Sequence, residues 1–485
     1  DGATDLSYSD DVPARFRAYG WDVDEVGEIA NDLDGLEAAL RRAKETEDRP
    51  TLVVLRSHIG WPSPHRTDTK EAHGDPLGDD EIRATKEILG LPADETFYVP
   101  QEVLDFYREA VAGGRGMRDA WEARRGAADE QEAYEASLAG RALPGWESKL
   151  PSFETGKGLA TRRAINTCLN ATAELIPGLV AGAADLTGNT GVKLESGEPQ
   201  SREHPGGNQI HFGIREHAMG SSMTGMALHG GVLPVGGTFF IFSDYMRPSI
   251  RLAVLSHAHV VYFWSHDSIG LGQDGPTHQP IEHLASVRAI PGLSVIRPAD
   301  ANECVQAWRL AVEHQGPTGI VLSRQDVPVL AETAELAEEG VPRGAYVLRR
   351  TGEGEQPDLV LIGTGSEVQH CLAAAGELAD DGLDVQVVSM PSWDLFEASD
   401  AAYRASVLPP AVPTLAVEAA SPFGWERYAD AVLGIDRFGA SAPGKVNMEQ
   451  FGFTPDGVVG RARELLAAAR AGGTGRKGTD EVRGH

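Results

Sequence analysis

The sequence predicts an α/β protein made of consecutive parallel-sheet domains, and two observations carry that expectation. Short, fully apolar runs of strand length alternate with helical patterns, as crossovers between parallel strands require. Two polar stretches, residues 123–158 and 331–343, interrupt this alternation and divide the chain. At 485 residues the chain exceeds what one core usually fills, so about two to four domains are expected.

The first block, 1–122, holds one αβ unit. Leu36, Ala39, Leu40 and Ala43 recur at helical spacing, and Thr51–Leu55 reads as a buried strand. A helix opening at Asp79 and Asp80 follows, then another from Glu102 to Ala112 after Pro100, with no further strand. Residues 123–158 are charged, Ala-rich and without a sustained apolar stripe, and they read as a surface linker. In the second block, 159–330, strands are expected at Leu179–Ala183, Val232–Val235, His259–Trp264, Leu293–Ile296 and Gly319–Leu322. The third block, 344–471, repeats the pattern with strands at Leu359–Ile362, Val385–Val388 and Thr414–Val417, and closes on a helix from Gly457. Residues 472–485, Gly-rich and charged, are expected to be disordered.

Composition narrows the function. A formal charge of −29 repels polyanions, so neither nucleic acid nor an anionic membrane surface is an expected partner. The best apolar run, Ile250 to Trp264, is broken by Arg251, His257 and His259, short of the roughly 18 residues a membrane helix needs. Three scattered cysteines, Cys168, Cys304 and Cys371, form neither a disulfide framework nor a zinc motif, and a reducing cytoplasm is expected.

The densest chemistry lies in FWSHDSIGLGQDGPTHQ, residues 263–279, where a strand empties into a loop with Gly270, Gly272 and Gly275. Ligands of parallel sheets usually bind past such strand ends. Each of His266, Asp267, Asp274 and His278 alone is an ordinary solvated turn residue, but four together point to a hydroxyl-rich, sugar-like ligand. Their spacing matches no common metal site. In HFGIREHAMG, residues 211–220, Glu216 opens a helix and either complements its dipole or, held in a dry pocket, shares a proton with a ring nitrogen. Phe239, Phe242 and Tyr245 fall at helical spacing, either as core or as a wall for a flat ring. Arg162 and Arg324 are surface ion pairs or, beside His278, a grip for a phosphate. Gly363-Thr-Gly-Ser366 is a plain βα turn or a phosphate cradle.

GIREHAMG, GGTFFIFSDYMR, HDSIGLGQDGPTHQP and VLSRQ, in this order and spacing, resemble the pyrimidine-binding domain of transketolases. HGDPLG at 73–78 and the first 21 residues resemble that family's first domain, and SMPSWDLF, FGASAP and FGFT its third. The resemblance covers the chain to about Ala471 and implies three α/β domains of the thiamine-diphosphate-enzyme type, the first incomplete. It implies reversible transfer of a two-carbon ketol group between sugar phosphates through a thiamine diphosphate carbanion. Glu216 would bond the aminopyrimidine N1′, Phe239, Phe242 and Tyr245 would line its slot, and Asp185 would help fix the cofactor. His266, Asp274 and His73 would hold ketose hydroxyls and assist proton transfer, while Arg162, His278 and Arg324 would grip the acceptor phosphate. A homodimer is implied, with His73 of one chain facing Glu216 of the other.

Two residues depart from the family pattern. Asn189 stands where the family has a serine, which touches a phosphate contact, and Gln273 stands where a glutamate is usual. Family members also carry, upstream of the segment matched by Asp1, a Gly-Asp-Gly stretch and an Asn that hold a divalent cation, magnesium or calcium. The expectation is therefore either a truncated full-length enzyme or one half of a split enzyme completed by a separate amino-terminal subunit. Related readings are dihydroxyacetone synthase, 1-deoxyxylulose-5-phosphate synthase, the β subunit of 2-oxoacid dehydrogenases and a non-catalytic regulator. His266, Asp274, His278 and both arginines favour transketolase among the enzymes, and Glu216 with the HDSIG loop disfavours the regulator. A formaldehyde-acceptor assay separates dihydroxyacetone synthase. The purified 485-residue chain alone is expected to give no ketol transfer, and measurable transfer would refute that.

Overall fold

The computed structural model describes residues 7–471, so the tail expected to be disordered and the first six residues lie outside the described part. The chain divides into two compact units, one ending at Arg125 and the other beginning at Gly126.

In the amino-terminal unit, α1 (Val12–Ala18) is capped by the Asp11 carboxylate, which accepts from Ala14 N at 2.9 Å. Strands β1 (Asp22–Gly27) and β2 (Thr51–Leu55) pair in parallel, joined through α2 (Leu33–Glu45). Sequence reading misses β1 because Asp22, Asp24 and Glu25 mask its alternation; Arg42 and Arg17 offset two of those charges, on Asp24 and Glu25. Then come α3 (Glu71–Gly74), α4 (Asp79–Ile88) and α5 (Gln101–Gly126). The last of these runs through Gly113 and Gly114 instead of stopping at Ala112. Each glycine costs about 1 kcal/mol relative to alanine but, unlike proline, leaves the hydrogen-bond ladder intact.

The second unit begins with α6 (Gln131–Leu138), inside the stretch expected to be linker, where Ala136 and Trp146 are buried. After the short strand β3 (Gly158–Leu159) and α7 (Thr161–Thr172) comes a six-stranded sheet. Its strands are β4 (Leu179–Ala183), β5 (Gln209–His211), β6 (Leu233–Phe239), β7 (Val261–Ser265), β8 (Ser294–Ile296) and β9 (Thr318–Leu322). All pairs are parallel and the spatial order is β5-β4-β6-β7-β9-β8. Helices α8 (Glu216–His229), α9 (Ser243–Leu255), α10 (His283–Arg288) and α11 (Ala301–Glu313) connect the strands. Strand β10 (Val327–Pro328) returns antiparallel to β3.

Helix α12 (Ala331–Gly340) occupies most of the second polar stretch and buries Thr333 and Ala337. It leads to a five-stranded sheet ordered β11 (Tyr346–Arg350), β13 (Val385–Ser389), β12 (Leu359–Gly363), β14 (Thr414–Val417), β15 (Ala431–Leu433). Only β11 is antiparallel among these pairs. Helices α13 (Val368–Asp380), α14 (Trp393–Ala398), α15 (Ala401–Val407), α16 (Gly444–Gln450) and α17 (Pro455–Arg470) complete it. One continuous apolar core links both sheets, from Trp308 and Ile320 through Val341 and Tyr346 to Leu361 and Leu465.

Helices α8 and α9 lie close because Gly220 faces Ser249 and Met246; a Cβ there would stand 2.3 Å from Ser249 Oγ. Gly220→Ala is therefore expected to destabilise the protein by roughly 1–3 kcal/mol through overpacking. Adding Ser249→Gly should restore part of the loss, both read as urea midpoints.

Candidate active site

Parallel strands all release their chain on one edge, so the residues after β4, β6, β7 and β9 are neighbours there. The register makes this concrete: Phe239 pairs with Ser265, and Ser265 with Leu322. Asp185, Phe242, His266 and Arg324 all lie within a few residues of those ends. Arg162 joins them from the first turn of α7, whose start is tied to the end of β9. There Ser323 N donates to Thr161 Oγ1 at 2.6 Å, and Thr161 N donates to Ser323 Oγ at 3.0 Å.

The aromatic residues form a staircase, although Phe239 ends a strand, Phe242 ends a 3-10 turn and only Tyr245 is on an α-helix. Phe239 and Phe242 stack at 6.0 Å with planes 13° apart, and Phe242 and Tyr245 at 5.7 Å and 24°. Tyr245 is 67% exposed, so the stair ends in an open aromatic face. His266 lies on Phe239 with centroids 3.6 Å apart, and His278 meets Phe242 edge-on at 5.5 Å.

His266 has a left-handed backbone (φ 64°), as does Asp185 (φ 62°), a conformation costing a non-glycine residue roughly 1–2 kcal/mol. Ser265 Oγ donates to the Asn189 carbonyl at 3.1 Å and lies 2.9 Å from His266 Nδ1. With its one proton spent on Asn189, the serine oxygen accepts from Nδ1–H, which leaves Nε2 as the basic nitrogen. Burial, and after it the charges of Arg162, Arg324 and His278, push the His266 pKa down to about 3.

Arg162 donates to the Asn189 carbonyl at 2.9 Å and to Asn189 Oδ1 at 3.2 Å. The departure from serine thus holds an arginine in place. Burial and the neighbouring Arg324 depress the Arg162 pKa. Among the described residues, neither Arg162 nor Arg324 has a carboxylate ion-pair partner. Two mutually repelling cations without an ion-pair partner, with two histidines beside them, are an arrangement that could hold an anion.

Glu216 is the first residue of α8 and only 7% exposed. Its carboxylate has no hydrogen-bond or ion-pair partner among the described residues, which leaves an acceptor on a largely buried residue open to a donor from outside the chain. Asp274 and Asp185 are exposed. His73 belongs to the amino-terminal unit, exposed on the short helix α3.

Asp267 departs from the sequence expectation. It pairs with the fully buried Arg297 instead of standing among the loop's other polar groups. Sequence reading passed over Arg297, whose only signal is a charge directly following the apolar strand Ser294–Ile296. The turn at 363–366 is not an open cradle, because the Arg297 side chain packs within 2.6 Å of where a Gly365 Cβ would be. Among the described residues, one group of metal-capable side chains converges: Asp244, Glu282 and His283. There Asp244 already faces His283 at 3.1 Å and Arg247 at 3.8 Å.

Residues 1–147 match the family profile "Transketolase, thiamine diphosphate binding domain", 157–329 "Transketolase, pyrimidine binding domain" and 344–454 "Transketolase-like TK C-terminal domain". A Geobacillus stearothermophilus transketolase is 48% identical over 480 residues, covering 96% of this chain and 71% of that one. Among solved structures, a transketolase from Leishmania mexicana superposes with TM-score 0.91 at 38% identity, over 99% of this chain and 71% of that one. A Pichia stipitis transketolase in complex with sedoheptulose 7-phosphate gives 0.89 at 36% identity, over 97% and 71%.

With a folded pKa near 3 against about 6.5 when unfolded, His266 takes up its proton in the unfolded chain first. Stability is therefore lost as pH falls from about 6.5 toward 3, by at most about 1.4 kcal/mol per pH unit. His266→Gln should flatten that component in urea titrations between pH 7 and 5; an unchanged slope would contradict the assignment.

Proposed function

The chain belongs to the transketolase family, whose reaction is the reversible transfer of a two-carbon ketol unit from a ketose phosphate to an aldose phosphate; on that premise we propose the following division of labour at the sheet edge. The unpartnered carboxylate of the largely buried Glu216, at the start of the helix that packs on α9, taken with the open aromatic stair, carries the reading. It supplies what an aminopyrimidine ring needs: an acid to share a proton with its ring nitrogen and a face on which to stack. Phe239, Phe242 and Tyr245 would hold the ring, and Asp185 would help fix the cofactor. Thiamine diphosphate, when bound, supplies the nucleophilic carbon that takes up the ketol unit.

The remaining groups serve the sugar. His266 stays neutral at physiological pH and presents Nε2 as a base toward a ketose hydroxyl, its ring held by Ser265 and Phe239. Asp274 would accept from a second hydroxyl. Arg162, Arg324 and His278 would bind the phosphate, whose charge relieves the repulsion between the two guanidinium groups. His73 would complete the hydroxyl contacts from the amino-terminal unit of a partner chain.

A homodimer fits this arrangement. Along α9, Tyr245, Leu252 and Leu255, and Ile214 just before α8, leave large side chains exposed, a composition that marks protein contacts. A divalent cation, magnesium or calcium, would accompany the diphosphate, and we assign it no ligands in this sequence. The three cysteines are all free and buried, which supports a cytoplasmic setting. No helix among the described residues is long and apolar enough to cross a membrane.

In the full-length or reconstituted protein, Glu216→Ala is expected to lower turnover about 10²–10⁴-fold, the usual range for an acid–base group, while leaving the dimer intact. Survival of activity would defeat the assignment. Arg324→Leu should weaken sugar phosphates but not their unphosphorylated counterparts, measured as KM for each.

A further inference from the structure

The glycine-rich loop that carries His266, Asp274 and His278 is long, with few apolar anchors of its own. Its geometry is nevertheless defined, and the groups that define it come largely from the carboxy-terminal sheet domain. At the loop's start, Arg297 donates through Nε and Nη2 to Asp267 Oδ2 at 3.0 and 2.7 Å. The same guanidinium reaches into the carboxy-terminal domain, donating to the Thr364 carbonyl at 3.0 Å and to Glu367. All three charged groups are essentially without exposure, so none has water as an alternative partner. Removing one would strand the others.

Further along, Asn447 on α16 is buried and uses Nδ2 on three carbonyls, those of Ile269 at 3.3 Å, Ala440 at 2.9 Å and Ala442 at 3.3 Å. Ser441 Oγ donates to the Gln273 carbonyl at 2.5 Å. From the loop's far end, Gln279 Nε2 donates to Gly272 and Ala440, both at 2.9 Å. The fit leaves no slack, since a Cβ on Gly444 would stand 2.1 Å from the Gly270 carbonyl oxygen.

We propose that the carboxy-terminal domain serves as the template for the substrate loop, with Arg297 and Asn447 as positioning residues that set where His266, Asp274 and His278 meet the sugar. Neither touches the substrate. They act on main-chain carbonyls and on Asp267, and the loop's flexible glycines make that outside support necessary. The inference rests on the reading of these loop residues as the sugar grip; Arg297 and Asn447 do not bond to Glu216, and they reach the aromatic stair only through His266 and His278, which pack on Phe239 and Phe242.

The test uses the full-length or reconstituted protein with Asn447→Asp, which keeps the side chain's shape but turns an acceptor toward three carbonyls. Three readouts are compared with the unsubstituted protein: amide hydrogen exchange in residues 266–279, the dissociation constant for thiamine diphosphate with magnesium, and that for xylulose 5-phosphate. The expected result is at least 10-fold faster exchange confined to the loop and at least 10-fold weaker sugar-phosphate binding, with a smaller loss of cofactor affinity than of sugar-phosphate affinity. Unchanged loop exchange overturns the clamp whatever the loop binds. Faster exchange with unchanged sugar-phosphate affinity overturns the positioning role, and the fate of Glu216→Ala then decides separately whether the enzymatic reading stands. Should Asn447→Asp not fold, Ser441→Ala, which removes one hydroxyl at the surface of the same contact, is expected to give the same pattern at about 3-fold.

Discussion

The catalytic half of the molecule depends on in-register parallel pairing among β4, β6, β7 and β9. Parallel hydrogen bonding aligns the strand ends laterally, and because every crossover returns by a helix, each strand leaves the sheet on the same edge. Phe239, Ser265 and Leu322 are side by side for this reason alone. A one-residue slip of β7 would turn Ser265 to the opposite face and separate His266 from Phe239 and from the Asn189 carbonyl. The aromatic stair, the neutral imidazole and the anion site are consequences of a register.

Charge is handled differently on the two sides of that edge. On one side, among the described residues, Arg162 and Arg324 have no ion-pair partner and Glu216 no hydrogen-bond partner, groups left free for the ligand proposed above. Toward the carboxy-terminal domain, buried charged groups are paired or hydrogen-bonded. Arg297 lies between Asp267 and Glu367, Arg288 forks onto Glu418 at 2.9 and 2.8 Å, and Glu303 accepts from Tyr346 and Ser389. Matched burial of this kind contributes less to stability than to uniqueness, because a misdocked sheet would leave ions in a low-dielectric seam. The seam is stiff where the site behind it needs a fixed loop.

Much of this was legible in the sequence where the signal is local. Strands β4, β7, β9, β12, β13 and β14 are short apolar runs, and their burial on both faces explains why they read cleanly. The glycine loop announced itself because its polar groups are contiguous. Elements with mixed composition were not legible: β1 carries acidic residues along its length, β11 is an antiparallel edge ending in Arg349 and Arg350, and β5 spans three residues. Within the site, the convergence of Arg162 with Arg324 could be expected only through the family resemblance, since they are far apart in sequence and meet through the tie between Thr161 and Ser323. The inward turn of Asp267 was invisible because its partner lies 30 residues away and the reason for the pairing is burial, which one sequence does not display.

The central claim is that Glu216 and the aromatic stair form the seat of the aminopyrimidine ring. A crystal structure of the full-length or reconstituted protein with thiamine diphosphate and magnesium tests it most directly. The account predicts the ring against Phe242 with its N1′ within hydrogen-bonding distance, roughly 2.6–3.2 Å, of a Glu216 carboxylate oxygen. A ring seated elsewhere, or a Glu216 side chain turned to solvent in that complex, would contradict it.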